Sequence, residues 1–144
     1  MQNRITTLRA GWYDLLSRHR WDHAVTLTTR YALGRRQFSE AIEQRYVRRL
    51  ARTAQHRIAW FAVFEPTMAG QWHSHLLLGG TQGLPQRKIQ RAWTDGFTSV
   101  DTLLDPCPAI RYAIKYIDRD PDSFALSRRW IPLTTDAFQT QRAA

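Results

Sequence analysis

Residues 57–78, RIAWFAVFEPTMAGQWHSHLLL, contain two apolar runs separated by the short segment PTMAG. Apolar runs of this length, rich in aromatic and branched residues and joined by a connection that ends in glycine, predict a β-hairpin. If residues 68–70 form a three-residue loop, Glu65 lies directly opposite His73, with Cβ atoms about 5 Å apart. The other predicted elements precede and follow this hairpin.

The rest of the sequence alternates between helical and strand patterns, without an internal repeat, a low-complexity tract or a linker. The amphipathic segment 38–55 predicts a helix with Ser39 as its cap, and Asp105 is the predicted cap of a later helix. Further elements are predicted as a short basic helix at 11–20, a strand at 23–29, a helix at 84–93, a strand at 97–104 and a helix at 105–119.

This order, β-α-β-β-α-β-α, begins with the six elements of the ferredoxin-like split β-α-β unit. The predicted fold class is therefore α+β, with a ferredoxin-like or RRM-like antiparallel sheet and helices packed on it. Residues 127–133, SRRWIPL, could add an edge strand. At 144 residues, the chain is expected to form a single domain over residues 1–144.

The charge of the chain predicts a polyanionic partner. Its formal net charge is +9 and its pI is near 10.8, which indicates nucleic acid first and an anionic membrane surface second. No apolar run is long enough for a membrane span, and the N-terminus lacks the apolar stretch of a signal peptide. The single cysteine, Cys107, cannot form an internal disulfide. We therefore expect a cytoplasmic protein without a membrane partner.

His73 and His75 are two residues apart in the second hairpin strand, so their side chains lie on the same face of the sheet. With Glu65 opposite His73, two imidazoles and one carboxylate converge on one patch and leave positions open for water or substrate. Such a set suits a divalent ion such as Mg²⁺, Mn²⁺ or Zn²⁺. The alternative is that both histidines are structural residues of a buried strand.

Residues 111–119, RYAIKYIDR, have two distinct faces when they are placed on a helix. An apolar face carries Ile110, Ala113, Ile114 and Ile117. The opposite face, which is available for chemistry, carries Tyr112, Lys115, Tyr116 and Arg119. Lys115 is one of only two lysines in the chain, the other being Lys88. An ordinary surface helix with two tyrosines is the alternative interpretation.

Three motifs in a fixed order resemble the HUH-type rolling-circle replication initiators, or Rep endonucleases, of plasmids, phages and small DNA viruses. They are the threonine-rich strand TLTT at residues 26–29, the histidine strand WHSHLLL at 72–78 and the helix YAIKY at 112–116. The upstream acidic ligand of the viral members is matched by Glu65. The resemblance covers roughly residues 22–120, and the ordered set is more specific than any one motif.

The resemblance implies sequence-specific nicking and joining of single-stranded DNA at a replication origin, with a hairpin as its expected form. A tyrosine attacks phosphorus and leaves a 5′-phosphotyrosine and a free 3′-hydroxyl. Tyr112 is the first candidate nucleophile because Lys115 follows it at the family spacing, and Tyr116 is the second. Glu65, His73 and His75 would hold Mn²⁺ or Mg²⁺, and Lys115 would help to orient the phosphate.

Two positions depart from the family pattern. Ser74 replaces the hydrophobic residue between the histidines but points away from the metal face, and Arg119 replaces the lysine of a second Tyr-x-x-Lys unit. Trp21 and Trp93 could stack unpaired bases. The residues expected to contact DNA are Thr28, Arg30, Arg35, Arg36, Arg87, Arg91 and Arg119.

Two other functions fit parts of the pattern. A transposase or relaxase-type nickase would keep the histidine pair, but the lysine after Tyr112 favours a replication initiator. A non-catalytic nucleic-acid-binding domain on an RRM-like scaffold would need neither metal nor tyrosine. The sequence has no Gly-x-x-x-x-Gly-Lys-[Ser/Thr] loop, so DNA unwinding is expected to depend on a separate host helicase.

Overall fold

Five strands form one antiparallel sheet in the computed structural model, which describes residues 2–67, 69–117 and 123–133. The strand order β4-β1-β3-β2-β5 contains the order of the ferredoxin-like unit, β4-β1-β3-β2, with one further edge strand. The predicted α+β class with an antiparallel sheet is therefore confirmed. The strands are β1 His23–Thr28, β2 Ala59–Pro66, β3 Trp72–Gly79, β4 Thr98–Thr102 and β5 Phe124–Leu126.

Helices cover both faces of this sheet. The helical segments are α1 Gln2–Ser17, α2 Arg35–Ala41, a π-helical segment Ile42–Val47, α3 Arg48–Ala54, α4 Gln86–Arg91 and α5 Cys107–Ile117. Helices α1 and α5 share one hydrophobic cluster with the sheet, whereas α2, α3 and α4 share the cluster on the opposite face. Within the described part of the chain, no helix is long and apolar enough to cross a membrane.

The run from α2 to α3 is one continuous helical segment in which Phe38, Ile42, Tyr46 and Leu50 are all buried. Their spacing of four residues exceeds the 3.6 residues of an α-helical turn, so an α-helix alone would rotate them away from the core. The wider π-helical segment counters this drift. The predicted Ser39 cap is wrong, because the helix begins after Gly34, whose N–H donates to Gln37 Oε1 at 3.1 Å.

Two other predictions at the chain ends need correction. The first helix begins at Gln2 and ends at Ser17, and its buried Leu16 fixes the C-terminal half on the sheet. The edge strand is Phe124–Leu126, paired with β2, and not residues 127–133. Residues 131–133 instead pair with the segment before β1, where Arg20 N donates to Ile131 O at 2.7 Å.

The central hairpin has the register that the three-residue loop predicts. Glu65 pairs with His73, and Thr67 N donates to Gln71 O at 2.6 Å, which closes the loop. Gly70 has a φ of 78°, a left-handed conformation that glycine adopts without steric cost. This register places every other side chain of β3 on the α5 face of the sheet.

Gly96 lets the loop before β4 approach β1 closely. A Cβ at this position would lie 2.0 Å from the carbonyl oxygen of Thr28, so alanine cannot be accommodated without a backbone shift. We expect Gly96→Ala to lower the free energy of unfolding by about 2–3 kcal/mol. Thermal denaturation measures this, with Gly83→Ala as the control because a Cβ there meets no atom within 4 Å. Equal melting temperatures for the two variants would contradict the close approach.

Candidate metal centre and tyrosine helix

One row of paired residues crosses the α5 face of the sheet at the loop end of the hairpin. Thr28 on β1 pairs with His73 on β3, and His73 pairs with Glu65 on β2. His75 lies in the adjacent row, where it pairs with Thr26. Because directly paired residues lie on the same face, three adjacent strands bring these side chains to one patch.

The side chains of Glu65, His73 and His75 meet at their polar ends. Glu65 Oε2 is 2.7 Å from His73 Nε2 and 3.2 Å from His75 Nε2. One ligand atom from each residue lies within 4.8 Å of the other two, and all three residues are half-buried. Two imidazole nitrogens and one carboxylate oxygen, accessible from one side, form a donor set that fits a divalent cation.

Thr26 contacts the second ring nitrogen of His75, with Oγ1 3.2 Å from Nδ1. A hydroxyl can accept from Nδ1–H, and this tautomer leaves Nε2 as a lone-pair donor toward Glu65 and a cation. Burial lowers the pKa of His75, although its hydrogen bond with Glu65 acts in the opposite direction. The neutral imidazole is the form that binds metal, so the surroundings of His75 favour a ligand state.

Helix α5 holds Tyr112 against this trio. The helix buries Ile110, Ala113 and Ile114 against the sheet, and Asp105 Oδ1 accepts from the Cys107 N–H at its start, as predicted. The Tyr112 ring is 44% exposed and packs edge to face on His75, with ring centroids 5.0 Å apart. A phenol therefore lies beside the candidate metal ligands and remains open to solvent.

Lys115 lies one helical turn after Tyr112, and its Nζ is 3.9 Å from the centroid of the Tyr112 ring. A cationic ammonium group is thus next to the phenol and exposed at the same patch. Tyr116 is part of α5, but its side chain is outside the described atoms, and Arg119 is outside the described residues. The structure brings together five predicted site residues: Glu65, His73, His75, Tyr112 and Lys115.

The residues predicted to bind DNA do not form one surface. Thr28 and Arg30 lie at the end of β1 beside the candidate metal centre, whereas Arg87 and Arg91 are exposed on α4, across the sheet. Arg35 and Arg36 line a groove of about 400 Å³ at the start of α2.

The two tryptophans proposed for base stacking are core residues. Trp21 and Trp93 are both only 4% exposed, and each indole N–H donates to a backbone carbonyl. Ser74, by contrast, lies on the face away from the metal patch, as predicted, and its hydroxyl donates to Val63 O at 3.0 Å. Neither tryptophan has a face available for a nucleotide base.

Sequence reasoning missed two exposed aromatic residues next to the metal patch. Phe97 is 76% exposed and Tyr31 is 48% exposed. Thr28 N donates to Phe97 O at 3.0 Å, which extends the β1–β4 ladder by one residue and aligns Phe97 with Thr28 and His73. An aromatic residue after a glycine and before a polar edge strand was the available signal.

The loop that carries Phe97 is held at several points. Phe97 N donates to Thr28 Oγ1, and Arg30 N donates to Asp95 O. The Asp95 carboxylate accepts from the Tyr31 hydroxyl and from Arg45, and these bonds lower its pKa against the opposing and larger effect of burial. An anchored loop thus presents an exposed aromatic ring beside the candidate metal centre.

Comparisons with known proteins identify a family for most of the chain. The family model for the ORF2 type of replication-associated protein matches residues 22–121. A comparison with curated proteins gives no sequence match.

One solved structure with a similar chain is the N-terminal nuclease domain of non-structural protein 1 from minute virus of mice. The sequence identity is 13% and the TM-score 0.34, over 86% of this chain and 76% of that one. That domain is described as having a Zn²⁺ coordinated in its active site pocket and a mode of DNA recognition at the origin of replication. A likeness this distant assigns no role to any residue of this chain.

Proposed function

The chain belongs to the ORF2 family of replication-associated proteins, as its three motifs predicted, and we propose that it is an endonuclease that nicks and rejoins single-stranded DNA to initiate rolling-circle replication. The observation that carries this proposal is the position of Tyr112 against His75, beside a trio of ligand atoms within 4.8 Å of one another. A solvent-accessible phenol next to such a trio is the arrangement that tyrosine-mediated DNA cleavage requires.

In the proposed reaction, the Tyr112 oxygen attacks the scissile phosphorus, and the bond from phosphorus to the 3′-oxygen breaks. The phenol loses its proton to solvent, and the departing 3′-oxygen gains one, so a 5′-phosphotyrosine and a 3′-hydroxyl result. The bond broken and the bond formed are both phosphodiester bonds. A 3′-hydroxyl can therefore reverse the step, and one site both nicks and joins.

Glu65, His73 and His75 would hold a divalent ion, with Mn²⁺ or Mg²⁺ as the expected metal, and when bound this ion would polarise the oxygens of the phosphate. Thr26 keeps the His75 ring in the orientation that directs Nε2 to the site. Lys115 lies close enough to the Tyr112 ring to offset the negative charge that develops on the phosphate or the phenolic oxygen.

The net charge of +9 supports binding to the DNA backbone, and Arg30 is an exposed cation beside the reaction site. Phe97 and Tyr31 offer ring faces on which unpaired bases can stack. The origin hairpin would present its single-stranded part to this side of the sheet. Unwinding of the duplex would fall to a separate helicase.

Removal of the Phe97 ring should weaken the binding of single-stranded DNA. We expect Phe97→Ala to raise the dissociation constant about 10-fold, because one base–aromatic stack contributes about 1–3 kcal/mol. Fluorescence anisotropy with a labelled oligonucleotide measures this. Leu104→Ala is the matched control, since Leu104 is 99% exposed just after β4, at the opposite end of the strand from Phe97. Equal losses in both variants would remove Phe97 from the DNA path.

The proposed function is tested by incubating the protein with a library of single-stranded oligonucleotides and Mn²⁺. The expected result is a protein–DNA adduct that survives denaturation, with a peptide that carries the nucleotide at Tyr112. Chelation with EDTA should prevent the adduct. DNA binding without any adduct, at every metal tested, would contradict the proposal and favour a non-catalytic binding domain.

A further inference from the structure

A cavity of about 250 Å³ lies between the sheet and α5, directly beside Tyr112. Its apolar part is formed by Ala24 and Leu77 of the sheet and by Ala109 and Ala113 of α5. Three of these four residues are alanines, and their short side chains leave a space between helix and sheet that larger residues would fill. The volume is near the lower limit of ligand cavities, about 300 Å³, which suits a ligand the size of one nucleobase.

The cavity continues directly from the candidate metal centre. Asp101 pairs with Ala24, and Ala24 pairs with Leu77, so these three residues form the row next to the one that holds Thr26 and His75. His75 and Tyr112 both line the cavity and separate it from Glu65. A nucleotide whose phosphate lies at Tyr112 therefore has this cavity within reach of its base.

Asp101 is the charged residue that lines the cavity. It is exposed, and within the part of the chain that the structure describes no hydrogen bond or ion pair engages its carboxylate. A carboxylate repels a phosphate group, whereas it accepts hydrogen bonds from the amino groups of bases. In a chain with a net charge of +9, an acidic group at this position selects for a base over the DNA backbone.

On the basis of the proposed function, we propose that this cavity binds the base of a nucleotide adjacent to the scissile phosphate, with Asp101 as its specificity-determining residue. Asp101 accepts a hydrogen bond from an amino group on the Watson–Crick edge, which guanine, adenine and cytosine carry. Thymine has no amino group, and its two carbonyl oxygens on that edge repel the carboxylate. The site therefore favours the three amino-bearing bases over thymine.

The base frequencies of cleaved DNA test this inference. After incubation of the full chain with Mn²⁺ and a random single-stranded library, both the DNA joined to protein and the released DNA are sequenced. We expect thymine to be disfavoured about 10-fold at one position flanking the join, the discrimination that one base contact provides. Asp101→Asn, which adds an amide donor, should remove this bias at that position.

Two further variants complete the test. Ala109→Leu should also remove the bias, because the added side chain occupies the cavity, and it decides the outcome if Asp101→Asn does not fold. Glu43→Gln changes an exposed carboxylate of the π-helical segment and should keep the wild-type frequencies. Adducts with wild-type frequencies from both cavity variants would overturn the inference. The absence of any adduct from the wild-type chain would instead refute the proposed function.

Discussion

Tyr112→Phe should abolish the covalent protein–DNA adduct, with a loss of about 1,000-fold or more in adduct yield. The substitution removes the phenolic oxygen that would form the bond to phosphorus and keeps the ring that packs on His75. Stability and DNA affinity should therefore change little. Gel electrophoresis under denaturing conditions measures the adduct, and anisotropy measures the binding of the same oligonucleotide.

Tyr116→Phe is the matched comparison, because it removes the same atom one helical turn later. If Tyr112 is the main nucleophile, Tyr116→Phe keeps most of the adduct, and mass spectrometry finds the nucleotide on Tyr112. Full adduct formation by Tyr112→Phe together with its loss in Tyr116→Phe would reverse the assignment. Persistence of the adduct in the double variant would show that α5 does not carry the nucleophile.

Loss of a metal ligand should have the second large effect. We expect His75→Gln and Glu65→Gln each to reduce nicking more than about 100-fold, since the loss of even an outer-sphere partner costs about 10–100-fold. Both glutamines retain hydrogen-bonding capacity near the same positions. The reaction is followed as cleavage of a labelled oligonucleotide over a series of Mn²⁺ concentrations.

A binding measurement separates a lost ligand from a lost fold. Mn²⁺ at 100 times its dissociation constant should stabilise the wild-type chain by about 2.7 kcal/mol, seen as a higher melting temperature. Glu65→Gln should lose this metal-induced shift and keep the melting temperature of the metal-free protein. His56→Gln is the control, because His56 contacts Gly80 O away from the trio. An unchanged shift in Glu65→Gln would exclude this residue as a ligand.

Short-range geometry explains which parts of the site were predictable. The alternation of a strand puts His73 and His75 on one face, and a three-residue loop fixes Glu65 opposite His73. The helical period likewise separates Tyr112 from the buried Ile110 and Ile114. Each of these relations spans about a dozen residues or fewer, so the local sequence determines it.

Features that depend on distant parts of the chain were not predictable. The burial of Trp21 and Trp93 is set by packing against other elements, and composition alone does not distinguish a core tryptophan from an exposed one. The position of Phe97 depends on hydrogen bonds to Thr28, 69 residues earlier. The cavity beside Tyr112 likewise requires Ala24 and Ala109 to face each other across helix and sheet.

The central claim is that Glu65, His73 and His75 together bind one divalent cation beside the Tyr112 phenol. X-ray diffraction from crystals grown with Mn²⁺, recorded at the manganese absorption edge, tests this claim most directly. We predict one anomalous difference peak within coordination distance of Glu65 Oε2 and of the Nε2 atoms of both histidines. A peak elsewhere, or none while Glu65 remains hydrogen-bonded to the two histidines, would contradict it.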